Sequence, residues 1–376
     1  MKLYLVAGEA SGDSRGVELM RALLDRAPDT TFLGAGGKAM KAFAGEQIFD
    51  WADEAVVGIW DVLKKYRYFK HQLDRILADI EKEQPDALIT IDYPGFNLRL
   101  AKAAKARLPH LRCIQYISPQ VWAWKQNRIP KMARYLDLML CLFPFEVPMY
   151  EGVGLKAICT GHPLLDTLAA RHSQPPPRDL TLTALLPGSR LKEIRRIFPI
   201  MIDTAIHLRA ARQRNRFEAA AASQPLRHEM LAIMRSRGVD DSFCPVTVGN
   251  AHDLMQRAGS GMICSGTATL EATYFGLPMV ILYKTAWLTY AIGKRVIKIP
   301  YIGLPNVLAN TIIAPEFIQD QAEPHLIANE LLQLAEHQGT REMQQRAYAK
   351  VIASLGERGA AARAADAVLA ACQKAT

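Results

Sequence analysis

Short apolar runs alternate with amphipathic stretches along almost the whole chain, and this alternation constrains the fold more than any other feature. Residues 2–8, 31–34, 87–92, 112–118, 138–143 and 157–161 read as buried strands, whereas 16–26, 60–83 and 98–107 have helical period. Strand and helix taken in turn require an open parallel sheet with helices on both faces. At 171–182 the chain reads RHSQPPPRDLTL, and its three consecutive prolines mark a stiff linker. The pattern then restarts, with strands expected at 183–186, 217–222, 246–248, 261–264 and 279–283. The expected fold class is therefore α/β, with halves at 1–170 and 183–349. A ligand is expected in the cleft between them, beyond the carboxyl ends of the strands. A chain of 376 residues also exceeds what one ordinary core holds.

A formal charge of +9 points to an anionic partner: nucleic acid, phosphorylated ligand or acidic lipid. No basic-aromatic ladder or nucleic-acid motif is present, so nucleic acid is not the expected partner. The six cysteines are scattered, with no CxxC and no metal-ligand spacing, as expected of reduced thiols in a cytoplasmic protein. The opening MKLYLVAGEASGD meets Glu9 and Asp13 before a signal-peptide core can form, so no such peptide is expected. No uncharged run reaches the roughly 18 residues of a spanning helix.

Three strand-to-helix turns carry the residues suited to chemistry. In CSGTATLEATYFGLPMVILYK (264–284), Ser265, Gly266 and Thr267 place backbone N–H groups and two hydroxyls at a helix N-terminus, a ready anion site. Glu271 follows one turn later, within reach of ribose hydroxyls; the plainer reading is an ordinary helix start with a solvated glutamate. In ALLPGSRLKEI (184–194), Ser189 closes a turn and Arg190 is expected in the first helical turn, where a cation opposes the helix dipole. Its fork of donors suits a diphosphate, although a plain surface arginine is the alternative. In IDYPGFNLRLAK (91–102), Asp92 ends a strand before a forced Pro94-Gly95 turn. A carboxylate there could take a proton from a hydroxyl nucleophile, or simply cap the next helix.

Other segments are less decisive. AGEASGDSRG (7–16) lacks the spacing of a dinucleotide fingerprint but offers Ser11 and Asp13 as polar loop members. SPQVWAWKQNR (118–128) sets two tryptophans beside basic residues, suiting sugar rings or acyl chains, with core packing as the competing reading. His162 beside Pro163 reads as structural. VVGIWDVLKKYRYFK (56–70) sets Val62, Tyr66 and Phe69 on one helical stripe, with Leu63 at its edge and Trp60 off it, rimmed by Lys64, Lys65, Arg67 and Lys70. That is the composition of an interfacial helix, with plain core packing as the alternative.

Taken together, AGEASGD, GAGGKAM, DYPGFNLRLAK, SPQVWAWKQNRI, PFEVPMYEGVG, GHPLLD, LLPGSRLKEI, SGTATLEATYFGLPMV, YIGLPNVLAN and APEFIQ resemble, in order, the lipid A disaccharide synthase family. The resemblance implies a GT-B architecture of two Rossmann-like domains, with the chain end (350–376) returning to the first. It implies inverting transfer of 2,3-diacylglucosamine from UDP to the 6-hydroxyl of 2,3-diacylglucosamine 1-phosphate, without a metal or other cofactor. Carried onto this sequence, Asp92 becomes the general base. Arg190, Ser189, Ser265, Gly266, Thr267, Glu271 and Asn306 become the UDP-donor side, and Ser11, Gly12 and Asp13 the acceptor side. Because both sugars would carry acyl chains, Trp60, Val62, Leu63, Tyr66 and Phe69 are expected to meet acyl chains or the cytoplasmic face of the inner membrane. A homodimer is left open. One rival is a non-hydrolysing UDP-sugar epimerase, which shares the two-lobed fold but needs no lipid acceptor; a second is a non-catalytic nucleotide-sugar or membrane-binding protein descended from such an enzyme.

Overall fold

A computed structural model describes residues 1–51, 59–122, 126–169, 177–286 and 300–373, with the backbone alone over 59–66. The chain forms two compact units, Met1–Asp166 with Leu355–Thr376, and Thr167–Ser354. The first is built on β1 (Lys2–Ala7), β2 (Thr31–Gly36), β3 (Ile48–Asp50), β4 (Ala87–Ile91), β5 (Arg112–Tyr116), β6 (Leu138–Cys141) and β7 (Ala157–Cys159). These pair in the order β3-β2-β1-β4-β5-β6-β7, all parallel. The second holds β8 (Asp179–Leu186), β9 (Arg216–Ala221), β10 (Val246–Val248), β11 (Ala258–Cys264), β12 (Met279–Tyr283) and β13 (Glu316–Ile318). Their order is β10-β9-β8-β11-β12-β13, again parallel.

Continuous apolar strands follow from covering both faces of a parallel sheet. On β1, Tyr4 and Val6 pack with Ile76, Leu77 and Ile80 of the helix Ile59–Glu83. The alternate residues Leu3, Leu5 and Ala7 face the opposite core, with Leu19 and Leu23 of the helix Ala10–Leu24. That core also takes Ala364 and Val368 from the last helix, Ala360–Cys372, so the chain end belongs to the first unit. Asp166 fixes the start of this helix by accepting the Gly359 and Ala360 N–H groups at 2.7 and 3.1 Å.

Some boundaries differ from the sequence expectation. β8 begins at Asp179, inside the segment read as a linker. The cause is Arg178, whose buried guanidinium donates to the carbonyls of Met255, Ala258 and Phe275 and so ties the strand entry to β11 and its neighbours. Residues 171–176 of that segment lie outside the described residues. β3 and β13, three residues each, were not anticipated.

Each sheet reverses its strand order once, between β1 and β4 and between β8 and β11. Outside the carboxyl ends of such a pair, the helices diverge to opposite faces and open a crevice. The loops beginning at Gly8 and Asp92 leave one reversal; those beginning at Pro187 and Ser265 leave the other.

Ser11, Gly12 and Asp13, expected in a loop after β1, open the helix Ala10–Leu24 instead. Asp13 is buried, and its carboxylate accepts the N–H groups of Gly37, Ala39 and Met40 at 2.7, 2.8 and 3.0 Å, capping the helix Lys38–Ala44. Gly12 is buried beside it, and of the three expected acceptor-side residues Ser11 alone is exposed, so the Asp13 carboxylate serves this cap from a buried position. Asp13→Ala strands three donors and is expected to cost about 2–4 kcal/mol in chemical denaturation, with Asp13→Asn losing less.

Candidate active site

Asp92 leaves the carboxyl end of β4 in an unusual backbone state. Asp92 and Tyr93 both adopt left-handed conformations, with φ of 49° and 45°. Two consecutive non-glycine residues there are strained and persist only when their surroundings hold them. The hold is visible: the Asp92 N–H donates to the Tyr116 carbonyl at 2.9 Å. Its own carbonyl accepts Asn97 Nδ2 at 2.8 Å and Gln115 Nε2 at 3.2 Å. The turn leaves the carboxylate half-buried. Burial raises its pKa above the ordinary aspartate value, partly offset by the Tyr93 backbone N–H. A carboxylate so placed holds a proton more readily than a solvated one, as a general base should.

In the second unit, the two loops at the β8/β11 reversal line one cavity of about 500 Å³. Ser189, Arg190, Ser265, Gly266, Thr267 and Glu271 all border it. Gly188 turns the chain at φ 111°, where a Cβ would lie 2.4 Å from Glu193 Oε2. Glu193 accepts the N–H groups of Ser189 and Arg190 at 3.0 and 3.2 Å, holding the turn. Arg190 is the N-cap residue of the helix Leu191–Ala211, one position before the first turn where it was expected. Its guanidinium is 82% exposed and meets Glu193 Oε1 at 3.2 Å, so little holds it away from a ligand.

Gly266 begins the helix Thr267–Tyr274, and nothing in the protein lies within 4 Å of a Cβ built on it. An anion can therefore approach the first-turn N–H groups, which have no intrahelical acceptors. Glu271, on the same helix, meets His252 Nε2 at 3.0 Å. His252 also borders the cavity, and no sequence motif signals it.

Asn306 does not border this cavity. It is fully buried; its Nδ2 donates to the Ala314 carbonyl and Glu316 Oε1, and its Oδ1 accepts the Ile313 and Ala314 N–H groups. Glu316 also accepts the N–H groups of Ile302 and Gly303, and the Ile302 carbonyl accepts Ser265 Oγ at 3.0 Å. Asn306 thus acts on the site through the loop that holds Ser265.

The remaining expected residues divide. Trp122 is buried and donates to Glu146 Oε1 at 3.1 Å, a core position; residues 123–125 lie outside the described residues. His162 accepts the Leu164 N–H on Nδ1, and burial lowers its pKa to about 4, so it stays neutral and structural. Phe69 is half-buried against Trp51, Tyr93 and Phe96, with ring centroids 6.0–6.3 Å away. The side chains of Trp60, Val62, Leu63 and Tyr66 lie outside the described residues. Among those described, no helix is long and apolar enough to cross a membrane and no group of three or more His, Cys, Asp or Glu could hold a metal.

Two parallel-sheet units, each with its crevice at a strand-order reversal, define a GT-B glycosyltransferase fold. Solved structures with this arrangement include a putative UDP-N-acetylglucosamine 2-epimerase from Listeria monocytogenes, with a TM-score of 0.63 and 12% identity over 100% of this chain and 97% of that one. MurG from Acinetobacter baumannii is also similar, with a TM-score of 0.58 and 12% identity over 98% and 99%. The sequence narrows the class further. The family model described as lipid-A-disaccharide synthetase matches residues 3–371. Lipid-A-disaccharide synthases of Pseudomonas aeruginosa and Geobacter sulfurreducens are 38% and 36% identical, each over 98% of this chain and 97% and 96% of theirs. The chain belongs to the lipid-A-disaccharide synthase family and is a glycosyltransferase of lipid A biosynthesis.

Asn306→Ala would leave two backbone N–H groups, one carbonyl and Glu316 without their partner. An expected loss of about 2–4 kcal/mol, read by thermal or denaturant unfolding, separates this supporting role from direct ligand contact.

Proposed function

We propose that this enzyme transfers 2,3-diacylglucosamine from UDP to the 6-hydroxyl of 2,3-diacylglucosamine 1-phosphate, with inversion and without a metal. The observation that carries this reading is Asp92, a carboxylate of raised pKa held in a strained turn at the first sheet's reversal. Asp92 accepts the proton of the 6-hydroxyl as its oxygen attacks the anomeric carbon from the face opposite UDP. The bond to the UDP oxygen breaks, and the electron pair leaves with the diphosphate. Developing negative charge meets the N–H groups at Gly266–Thr267 and the exposed Arg190 guanidinium, which supply the stabilisation a metal would otherwise provide. Glu271, which meets His252 and borders the same cavity, would accept hydroxyls of the nucleotide ribose. Meeting acylated substrates requires the enzyme to work at the cytoplasmic face of the inner membrane.

Incubating the protein with both lipids in detergent plus a chelator, and following the products by mass spectrometry, tests the reading. Acceptor-dependent disaccharide is expected, and its absence from folded, UDP-binding protein would overturn the proposal. Asp92→Ala is expected to lower kcat by ~10²–10⁴, the usual contribution of a placed base. Arg190→Ala is expected to weaken UDP binding in calorimetry, while shifting the melting temperature by no more than about 2 °C, as for an exposed pair.

The raised pKa of Asp92 also fixes a sign. The base must be ionised, so kcat/KM should fall on the acid side through a pKa above the ordinary aspartate value of about 3.9. The native state binds this proton more tightly than the unfolded chain, so its ionisation costs stability as pH rises through the native pKa. Asp92→Asn should therefore gain stability relative to the parent at neutral pH, and the difference should vanish below about pH 3.9. An Asp92→Asn variant that is less stable at pH 7 than at pH 3, relative to the parent, would count against a desolvated carboxylate.

A further inference from the structure

A second cavity, of about 270 Å³, opens in the first unit beside the proposed base. Its walls are Tyr93, the residue after Asp92, together with Phe96, Phe69 and Leu73. Phe69 and Leu73 stand one turn apart on the helix Ile59–Glu83, and Phe96 belongs to the helix Pro94–Arg107. Gly95 lines the mouth, and nothing lies within 4 Å of a Cβ built on it. Each helix also contributes a cation to the lining, Lys70 from the first and Arg99 from the second. Both are exposed, and neither forms an ion pair with any described residue.

An apolar cavity with two uncompensated cations suits a ligand that joins hydrocarbon to concentrated negative charge. A neutral acyl chain would leave both cations without a partner, and a free inorganic anion would leave the aromatic walls idle. A volume just below that of a drug-sized pocket admits one headgroup or one chain start, not a whole lipid. An arginine beside a lysine matches a phosphomonoester, the first as a fork of donors and the second as a mobile point charge. We infer that Arg99 and Lys70 hold the sugar phosphate of the acceptor, with its nearby acyl chain against Phe69, Tyr93 and Phe96. The inference rests on the proposed function and assigns the phosphate-recognising subsite of that reaction.

The test compares the phosphorylated acceptor with the same diacylglucosamine lacking its phosphate, using the full-length enzyme. In Lys70→Ala/Arg99→Ala the KM for the phosphorylated acceptor is expected to rise about 10-fold or more, the usual loss for charge-assisted hydrogen bonds. The preference for phosphorylated over dephosphorylated acceptor should collapse toward one, and Arg99→Lys should restore part of it. Gly95→Leu, which fills the mouth and keeps both charges, should raise the KM for both acceptors. An unchanged preference in the double variant overturns the assignment. Calorimetry with dodecyl phosphate, with inorganic phosphate as competitor, reads the subsite without turnover. Binding is expected to be lost in the double variant, and equal binding by both proteins would again overturn it. Weaker adhesion of the double variant to phosphatidylglycerol vesicles, with acceptor preference intact, would make the patch a membrane anchor and defeat the proposal. If wild type binds dodecyl phosphate through these residues yet forms no disaccharide, the proposed reaction fails while the subsite stands.

Discussion

A parallel sheet covered on both faces can offer ligands only its ends, and each half of this molecule obeys that constraint. Alternate residues of β1 bury into two cores, one completed by the helix Ile59–Glu83 and the other by the chain's last helix. Backbone groups at the strand ends have no further ladder to join, so loops and helix N-termini accumulate there. The single strand-order reversal in each sheet then selects one place on that end where neighbouring loops part. Asp92 stands at one reversal and the Ser189–Arg190 and Ser265–Thr267 turns at the other.

The two half-sites are held in different ways, and the difference suits their chemistry. Around Asp92, strain is fixed by buried amides: Asn97 and Gln115 grip a left-handed turn through the main-chain carbonyl and leave the carboxylate free. A base must keep its geometry while its charge changes, and main-chain anchoring permits that. In the donor-side cavity the holding groups are carboxylates, Glu193 on one turn and Glu316 behind the other. Glu193 holds a turn that borders the cavity and Glu316 holds the 302–303 loop behind Ser265, so both turns are fixed by backbone donors bound to carboxylates. The exposed arginine adds mobile positive charge where a diphosphate would gather.

Local patterns made most of this legible before any coordinates, because period and turn chemistry are short-range. Asp92, Arg190, Ser265, Gly266 and Thr267 each follow an apolar strand within a few residues, and Glu271 lies one helical turn beyond Thr267, so that signal survives in the sequence. The side chains of Asp13 and Asn306 are engaged away from the crevices for a shared reason. Each stands in the first turn of a helix, Ala10–Leu24 or Leu304–Ala309, and its side chain is engaged by backbone groups of another segment: Gly37–Met40 for Asp13, and the 313–316 strand entry for Asn306. No local pattern reports such a capture. His252 and Glu316 were missed for the converse reason, since only folding brings them to Glu271 and to the 302–303 loop. β3 (IFD) and β13 (EFI) are three-residue edge strands that each include a carboxylate, so neither forms an uninterrupted apolar run.

The fold by itself does not choose between transfer and isomerisation, since epimerases share it. What separates the two is what the first unit presents to the second substrate. An epimerase would need only to move a proton within one sugar. Transfer needs a base aimed at an incoming hydroxyl and a surface that recognises the molecule bearing it. On the proposed reading Asp92 would offer the first. The cavity that begins at the next residue, walled by rings and flanked by two cations that form no ion pair with any described residue, would offer the second. Base and recognition surface are thus joined by one peptide bond at the start of one helix. A backbone shift at Tyr93 would also move Asp92, so on the proposed reading acceptor fit and proton abstraction would be coupled. That coupling would let binding energy from the rest of the acceptor orient the reacting hydroxyl.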